Sequence, residues 1–257
     1  MGFISLARGA LRELARDPVL FLPKLVSTTL YIPPYLVLVR SSVEAAKNPL
    51  LSQGLLGAEA PALLALFALA PLWIFIDSMY PELVRQRSET GKLGFRAAAR
   101  HVLGRFPKIL AVTAILLAIG LAAMLPFAAL AALGVVFASL PLIALGALGL
   151  AAAVFVLGIA FYFTPTSIVI GEGSVLGSLR EGYALSRANF GPVFWLTLLS
   201  FALLLAGFYA EGAFSALGEA GFVAGRYLGA VVTVYLYVLN PSAYLEVRKP
   251  GAAARQE

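Results

Sequence analysis

Residues 109–171 read ILAVTAILLAIGLAAMLPFAALAALGVVFASLPLIALGALGLAAAVFVLGIAFYFTPTSIVIG, and no Asp, Glu, Lys, Arg or His interrupts them. A helix rises about 1.5 Å per residue and the hydrocarbon core of a bilayer is about 30 Å thick, so roughly 20 residues make one crossing. The run is about three times that length. Gly134, Ser139 and Pro141 fall near its middle, where a pattern of Ala, Leu, Val and Phe meets turn-forming residues. The run therefore predicts a transmembrane hairpin with spans at 109–133 and 141–163.

The composition agrees. Hydrophobic residues make up 61% of the chain and charged residues 12%, against about 25% charged in an ordinary soluble domain. No ten-residue segments alternate with period two, so helices rather than a closed barrel must satisfy the backbone in lipid. Cysteine is absent and histidine occurs 1 time, which removes disulfides, thiolate nucleophiles and the usual zinc, haem and iron–sulfur ligand sets. No phosphate-binding loop ending in Lys-Ser or Lys-Thr and no His-Glu-x-x-His occurs. No span offers a buried nucleophile with a base. Gly171-Glu172-Gly173-Ser174-Val175-Leu176-Gly177 follows a span instead of a strand and reads as a turn out of the membrane. The expectation is a non-enzymatic protein with no cofactor and no metal.

Working outward from the hairpin, the whole chain, 1–257, reads as one membrane domain. Over 3–16, Phe3, Leu6, Ala10, Leu11 and Leu14 recur at helical spacing opposite Arg8, Arg12, Glu13 and Arg16, which predicts an amphipathic helix in the headgroup region. The first span is 18–39, with Lys24 near enough to its start to snorkel to the interface. Pro33 and Pro34 must kink or break it, because proline lacks the helix donor and crowds the previous turn. Thr28, Thr29, Pro33 and Pro34 are thus a candidate broken-helix site, with a packed kink as the plainer alternative.

A second span covers 60–80, with Asp77 near its exit. Over 93–106, Phe95, Ala98, Ala99, Val102, Leu103 and Phe106 form one apolar stripe, which predicts a helix lying flat on the membrane surface. Arg96, Arg100, Arg105 and Lys108 are candidate contacts to anionic lipid headgroups, and His101 reads as headgroup-facing. A less regular interfacial helix is expected at 174–188, spans at 192–210 and 222–239, and a tail at 240–257. Glu211 and Arg226 stand at the facing ends of the last two spans and are a candidate ion pair. Small residues at four-residue spacing mark close helix approach: Ala114, Ala118 and Ala122; Gly149 and Ala153; Gly225, Gly229 and Thr233. They are either internal seams or a dimer face.

The net charge of +6 is not spread as a nucleic-acid surface would require. Of the 19 Lys and Arg, all but Lys24, Arg40, Lys47 and Arg226 fall in the N-terminal segment, the second and fourth connections and the tail. The positive-inside bias then puts both termini in the cytoplasm. The chain also repeats itself: Leu6 precedes Pro18 as Phe95 precedes Pro107 and Leu179 precedes Pro192, each pair ahead of an apolar span. The expected fold is an all-α integral membrane protein of six transmembrane helices, built as three pseudo-repeated hairpins, each preceded by a cytoplasmic interfacial amphipathic helix.

Pro165-Thr166-Ser167-Ile168-Val169-Ile170-Gly171-Glu172-Gly173, followed by Leu179-Arg180 and Leu185-Ser186-Arg187-Ala188-Asn189-Phe190, resembles a group of prokaryotic six-span membrane proteins of unknown function. The group is related to the membrane domain attached to some bacterial glycerophosphodiester phosphodiesterases. The hydrolase barrel with its His, Glu and Asp set has no counterpart here, so the resemblance implies membrane architecture in the cell membrane of a prokaryote and no hydrolase activity.

The functional expectation is a membrane-organising or accessory component whose basic cytoplasmic helices engage anionic lipid headgroups, another copy of the chain or a membrane-protein partner. No nucleic-acid partner is expected. The alternative is a transporter or channel for a small or lipid-like solute. A polar cavity enclosed by the first and sixth spans would favour that alternative.

Overall fold

The computed structural model describes residues 3–47, 52–171 and 173–248, without the side chains of 42–58. The regular structure among them is all helical. In chain order it comprises α1 (Phe3–Arg16), a 3-10 turn (Pro18–Phe21), α2 (Leu22–Lys47), α3 (Ser52–Asp77), α4 (Met79–Thr90), α5 (Phe95–Val136), α6 (Leu140–Ala160), α7 (Thr164–Ile170), α8 (Val175–Ala188), α9 (Phe190–Ser215) and α10 (Glu219–Arg248). Residues 48–51 between the first two spans, Glu172 of the glycine-rich turn, and the tail beyond Arg248 lie outside the described residues. Six helices, α2, α3, α5, α6, α9 and α10, are long and apolar enough to cross a membrane, and the chain is a multi-pass membrane protein.

The six spans form a ring. Each pair α2–α3, α5–α6 and α9–α10 packs as an antiparallel hairpin; α2 lies beside α10, α9 beside α6, and α5 returns to α3. Lipid supplies no hydrophobic drive between spans, so close contact depends on residues small enough to let backbones meet. Gly134 and Gly146 meet that need between α5 and α6: a Cβ on Gly134 would lie 2.6 Å from the Ile143 nitrogen, and one on Gly146 would lie 2.6 Å from the Ala131 nitrogen. Gly149 faces the Phe127 ring, and Gly225 sits where a Cβ would come within 3.0 Å of Glu211 Cα. Ala114, Ala118 and Ala122 are exposed and form no internal seam.

The N-terminal end of α2, the C-terminal end of α10 and the helices α1, α4, α7 and α8 gather at one end of the ring. Here the core is tight: Tyr80, Leu83, Val102, Phe163, Val169 and Tyr244 are fully buried. The apolar stripe of α1 packs on α10 through Ala10 and Leu14, with the Tyr235 hydroxyl donating to the Ala7 carbonyl at 3.2 Å. Gly91, at φ 71, ends α4 in the left-handed region that glycine adopts without steric cost.

Several boundaries differ from the sequence reading, and proline is the common cause. The stripe at 95–106 is not a separate flat helix; it forms the first turns of α5, which runs on through Pro107 into the third span. At Pro33 and Pro34, by contrast, α2 continues unbroken, in keeping with the plainer of the two alternatives for those prolines. Residues 240–248, expected as tail, extend α10 past Pro241. A proline removes one donor and bends a helix, but packing on the following turn can carry the helix onward. Ala243 and Tyr244 supply that packing after Pro241.

Candidate functional site

Asp77 is the last residue of α3, where the helix dipole disfavours a carboxylate. Its charge is met by Lys24, two residues into α2, whose Nζ lies 3.0 Å from Oδ1 and 3.1 Å from Oδ2. The Tyr237 hydroxyl of α10 donates to Oδ2 at 2.6 Å. Lys24 is only 6% exposed and does not snorkel to the interface as its position suggested. Its ammonium lies 5.1 Å from the Trp73 ring centroid and 5.0 Å from that of Tyr237, two π faces that further stabilise a desolvated cation. A buried pair of this kind repays desolvation only when its geometry is good and its remaining lone pairs are met, and Tyr237 meets one of them.

The pair stands between two cavities. The first, about 370 Å³, lies toward the Glu211 end between α2, α9 and α10, and Lys24, Thr28, Tyr31, Glu211, Arg226 and Tyr237 are among its lining residues. The second, about 620 Å³, lies toward the α7 end between α3, α5, α9 and α10, with Asp77, Thr113, Tyr162, Thr166, Ser200 and Asn240 on its wall. Trp73, Leu204, Thr233 and Tyr237 line both. Lys24 therefore faces one cavity and Asp77 the other.

In the first cavity the structure brings Glu211 and Arg226 together: Nη1 donates to Oε1 at 2.9 Å, with both side chains about a quarter exposed. The guanidinium also stacks 4.3 Å above the Tyr35 ring. Tyr31 is buried, and its hydroxyl has no hydrogen-bond partner among the described residues. Of the candidate broken-helix residues, Thr28 lines this cavity. Thr29 is exposed; it donates to the Leu25 carbonyl at 2.8 Å and meets the Tyr227 hydroxyl at 2.8 Å. Pro33 is exposed and Pro34 half-buried, and neither lines either cavity.

The second cavity is mainly apolar, with a polar corner built on Asn240. Its side-chain N–H donates to the Tyr162 carbonyl at 2.6 Å, and its oxygen accepts from Thr166 at 2.5 Å. Those contacts tie α10 to the loop ahead of α7 and to α7 itself.

The basic residues of 93–108 separate into two groups. Arg96, Arg100 and Lys108 are exposed. Arg105 is half-buried and donates to the carbonyl of Gly171, with a longer contact to that of Ile168; His101 Nε2 lies 2.8 Å from the Val169 carbonyl. These two side chains occupy the last carbonyls of α7, groups that a helix end leaves without partners.

The Lys24–Asp77–Tyr237 cluster and the Asn240 corner were missed in the sequence. One signal for the first was present: Lys24 and Asp77 are opposite charges on consecutive antiparallel spans, each near the end that carries the basic connections.

The chain belongs to the family of a domain of unknown function (DUF7847), whose model matches residues 1–244. No curated protein and no solved structure matches it.

Proposed function

We propose that this chain is a non-enzymatic membrane protein that conveys a small or lipid-like solute across the bilayer, with the Lys24–Asp77 pair as the partition in its path. The observation that carries this reading is the placement of the two cavities. Along α10 they extend from Arg226 to Pro241, about 22 Å at 1.5 Å per residue, which is most of a hydrocarbon core of about 30 Å. They meet at one wall with an ion pair in it. That arrangement suits alternating access, in which a site between two cavities opens to one side at a time. Opening requires Lys24 and Asp77 to part, and parting them leaves two poorly solvated charges, so the path is closed at rest.

By the positive-inside bias the end with α1, α4, α7 and α8 faces the cytoplasm of a prokaryotic cell, and the Glu211–Arg226 cavity faces outward. The three hairpins read as copies of one unit, and the resemblance to the membrane domain of glycerophosphodiester phosphodiesterases belongs to this reading as a statement of architecture alone. A membrane-organising role is the second reading. It is favoured by the exposure of Arg96, Arg100 and Lys108, together with Arg8, Arg12 and Arg16 of α1, at one end of the ring, where each could attract anionic headgroups.

The chain contains 0 cysteines, so single cysteines can be introduced without background. Thr28→Cys and Ser200→Cys, each in proteoliposomes of known orientation, are treated with a membrane-impermeant maleimide from one side at a time. The transport reading expects Thr28→Cys to label from the Glu211 side and Ser200→Cys from the other. It also expects a fluorophore-tagged single-chain amphiphile to change leaflets faster than in protein-free vesicles. Labelling of both positions from one side, with no gain in flux, would remove this reading.

A further inference from the structure

We infer that the first cavity binds the anionic head of an amphiphile, a phosphate or carboxylate group carried on an apolar chain. This deepens the transport reading, on which it rests, by naming the solute class. The charges that line the cavity are Lys24, Arg226 and Glu211; Asp77 reaches Lys24 only from across the partition. The wall thus presents two cations and one carboxylate to the cavity, with the second carboxylate behind Lys24. Arg226 spends one N–H on Glu211, and the fork of a guanidinium offers several more in a geometry that suits carboxylate and phosphate oxygens.

Tyr31 adds an independent observation. Its hydroxyl is buried on this wall and unpartnered among the described residues, in a position where an unmade hydrogen bond is costly. An anion oxygen is a partner that a phenol O–H can satisfy, and a bond to a charged acceptor is stronger than one to a neutral group. The rest of the lining includes Trp73, Leu204, Phe208 and Val232, which offer nothing to a fully hydrated ion and suit an alkyl chain. The volume of about 370 Å³ lies at the small end of ligand pockets, enough for a head and the first carbons of a tail. The apolar second cavity continues the route.

The same chemistry supplies the opening step. An anion seated beside Lys24 becomes a second counter-ion for its ammonium, so Asp77 can withdraw without leaving Lys24 as a bare buried charge.

The test uses the full chain purified in dodecyl maltoside with Trp195→Phe, which leaves Trp73 as the emitting indole on the cavity wall. Dodecyl phosphate, dodecanol, dodecyltrimethylammonium and inorganic phosphate are titrated separately. A saturable change in Trp73 emission is expected with dodecyl phosphate, at an affinity at least about tenfold above the other probes. Tyr31→Phe, which keeps the ring and removes only the unpartnered hydroxyl, is expected to weaken dodecyl phosphate roughly ten- to a hundredfold with no loss of melting temperature. Arg226→Gln is expected to weaken it as well. Equal affinity for dodecyl phosphate and dodecanol, or an unchanged affinity in Tyr31→Phe, would overturn the anionic head; inorganic phosphate binding as tightly as dodecyl phosphate would overturn the amphiphile. Failure here with amphiphile flux intact in vesicles removes the solute assignment alone, whereas selective binding without flux removes the transport reading and keeps the site.

Discussion

Tyr237 donates its hydroxyl to Asp77 Oδ2 at 2.6 Å while its ring faces the ammonium of Lys24 at 5.0 Å, so one side chain of α10 supports both charges of a pair formed between α2 and α3. This contact joins the first hairpin to the last. The wall between the two cavities is thus built from side chains of three helices, α2, α3 and α10.

Removing one charge of that pair leaves the other buried without a counter-ion, at a cost of about 3 to 5 kcal/mol. Lys24→Gln and Asp77→Asn are each expected to lower the melting temperature of the purified protein sharply. Tyr237→Phe is expected to cost less, about 1.5 to 3 kcal/mol for a hydrogen bond to a charged acceptor. The check is a double-mutant cycle read by thermal unfolding in detergent; a coupling energy near zero between Lys24 and Asp77 would show that the two charges do not support each other.

Glu211 and Arg226 form a weaker partnership. Each side chain is about a quarter exposed, so solvent screening takes the pair well below a fully buried one, while the stack on Tyr35 and the close approach at Gly225 keep it above a surface pair. The expected coupling is about 1 to 2 kcal/mol. Glu211→Gln and Arg226→Gln measured singly and together would give that figure, and the charge-swapped double variant is expected to recover part of the loss.

The hairpin at 109–171 could be read from sequence because length and the absence of charge are properties of the segment itself, independent of its neighbours. The prolines were misread for the opposite reason. Whether Pro107 or Pro241 ends a helix depends on what packs beyond it, and Ala243 and Tyr244 are buried on a helix that packs against α1, α4 and α7, with the Tyr244 hydroxyl donating to Glu181 of α8, all elements distant in the chain. Lys24 and Asp77 were both visible as isolated charges, yet their meeting depends on how the ring closes around α10. Arg105 was indistinguishable from Arg100 by periodicity; only the position of α7 turns it from a surface cation into a helix cap.

That difference is testable. Arg105→Ala is expected to destabilise the fold by about 1 to 3 kcal/mol, since it leaves the Gly171 carbonyl without its side-chain donor, whereas Arg100→Ala, exposed and away from such a feature, is expected to stay within about 0.5 kcal/mol. Comparable melting temperatures for the two variants would show that the Gly171 contact contributes nothing.

The exposed Arg96, Arg100 and Lys108 have a role of their own in the membrane-organising reading. Each is expected to contribute about 1 kcal/mol of attraction to an anionic surface at moderate salt. In nanodiscs with mixed anionic and zwitterionic lipid, the full chain should therefore retain anionic lipid through detergent extraction, and the Arg96→Gln, Arg100→Gln, Lys108→Gln triple variant should lose most of it. Raising the salt to 1 M, where the screening length falls to about 3 Å, should have the same effect. Anionic lipid retained equally by the triple variant would leave this end of the ring without an electrostatic role.

The docking of α1 carries a pH dependence of definite sign. Glu13 is half-buried against α10, where the Ser242 hydroxyl donates to its Oε2 at 3.2 Å. Burial pushes its carboxyl above the ordinary value of 4.5, partly offset by the Ser242 bond and by the charge of Arg87, while Asp17 reinforces the rise. An acid that is harder to ionise in the folded state holds its proton there after the unfolded chain has lost it. The stability that Glu13 contributes is therefore greatest below pH 4.5, falls as pH rises toward the elevated folded value, and is level once Glu13 is ionised in both states. Hydrogen exchange at the α1 amides should accordingly speed up across that window beyond the intrinsic effect of pH. Glu13→Gln keeps an acceptor for Ser242 and removes the titration, so its α1 protection should not change across the window. A wild-type protection profile as flat as that of Glu13→Gln would mean that Glu13 sits in water rather than against α10.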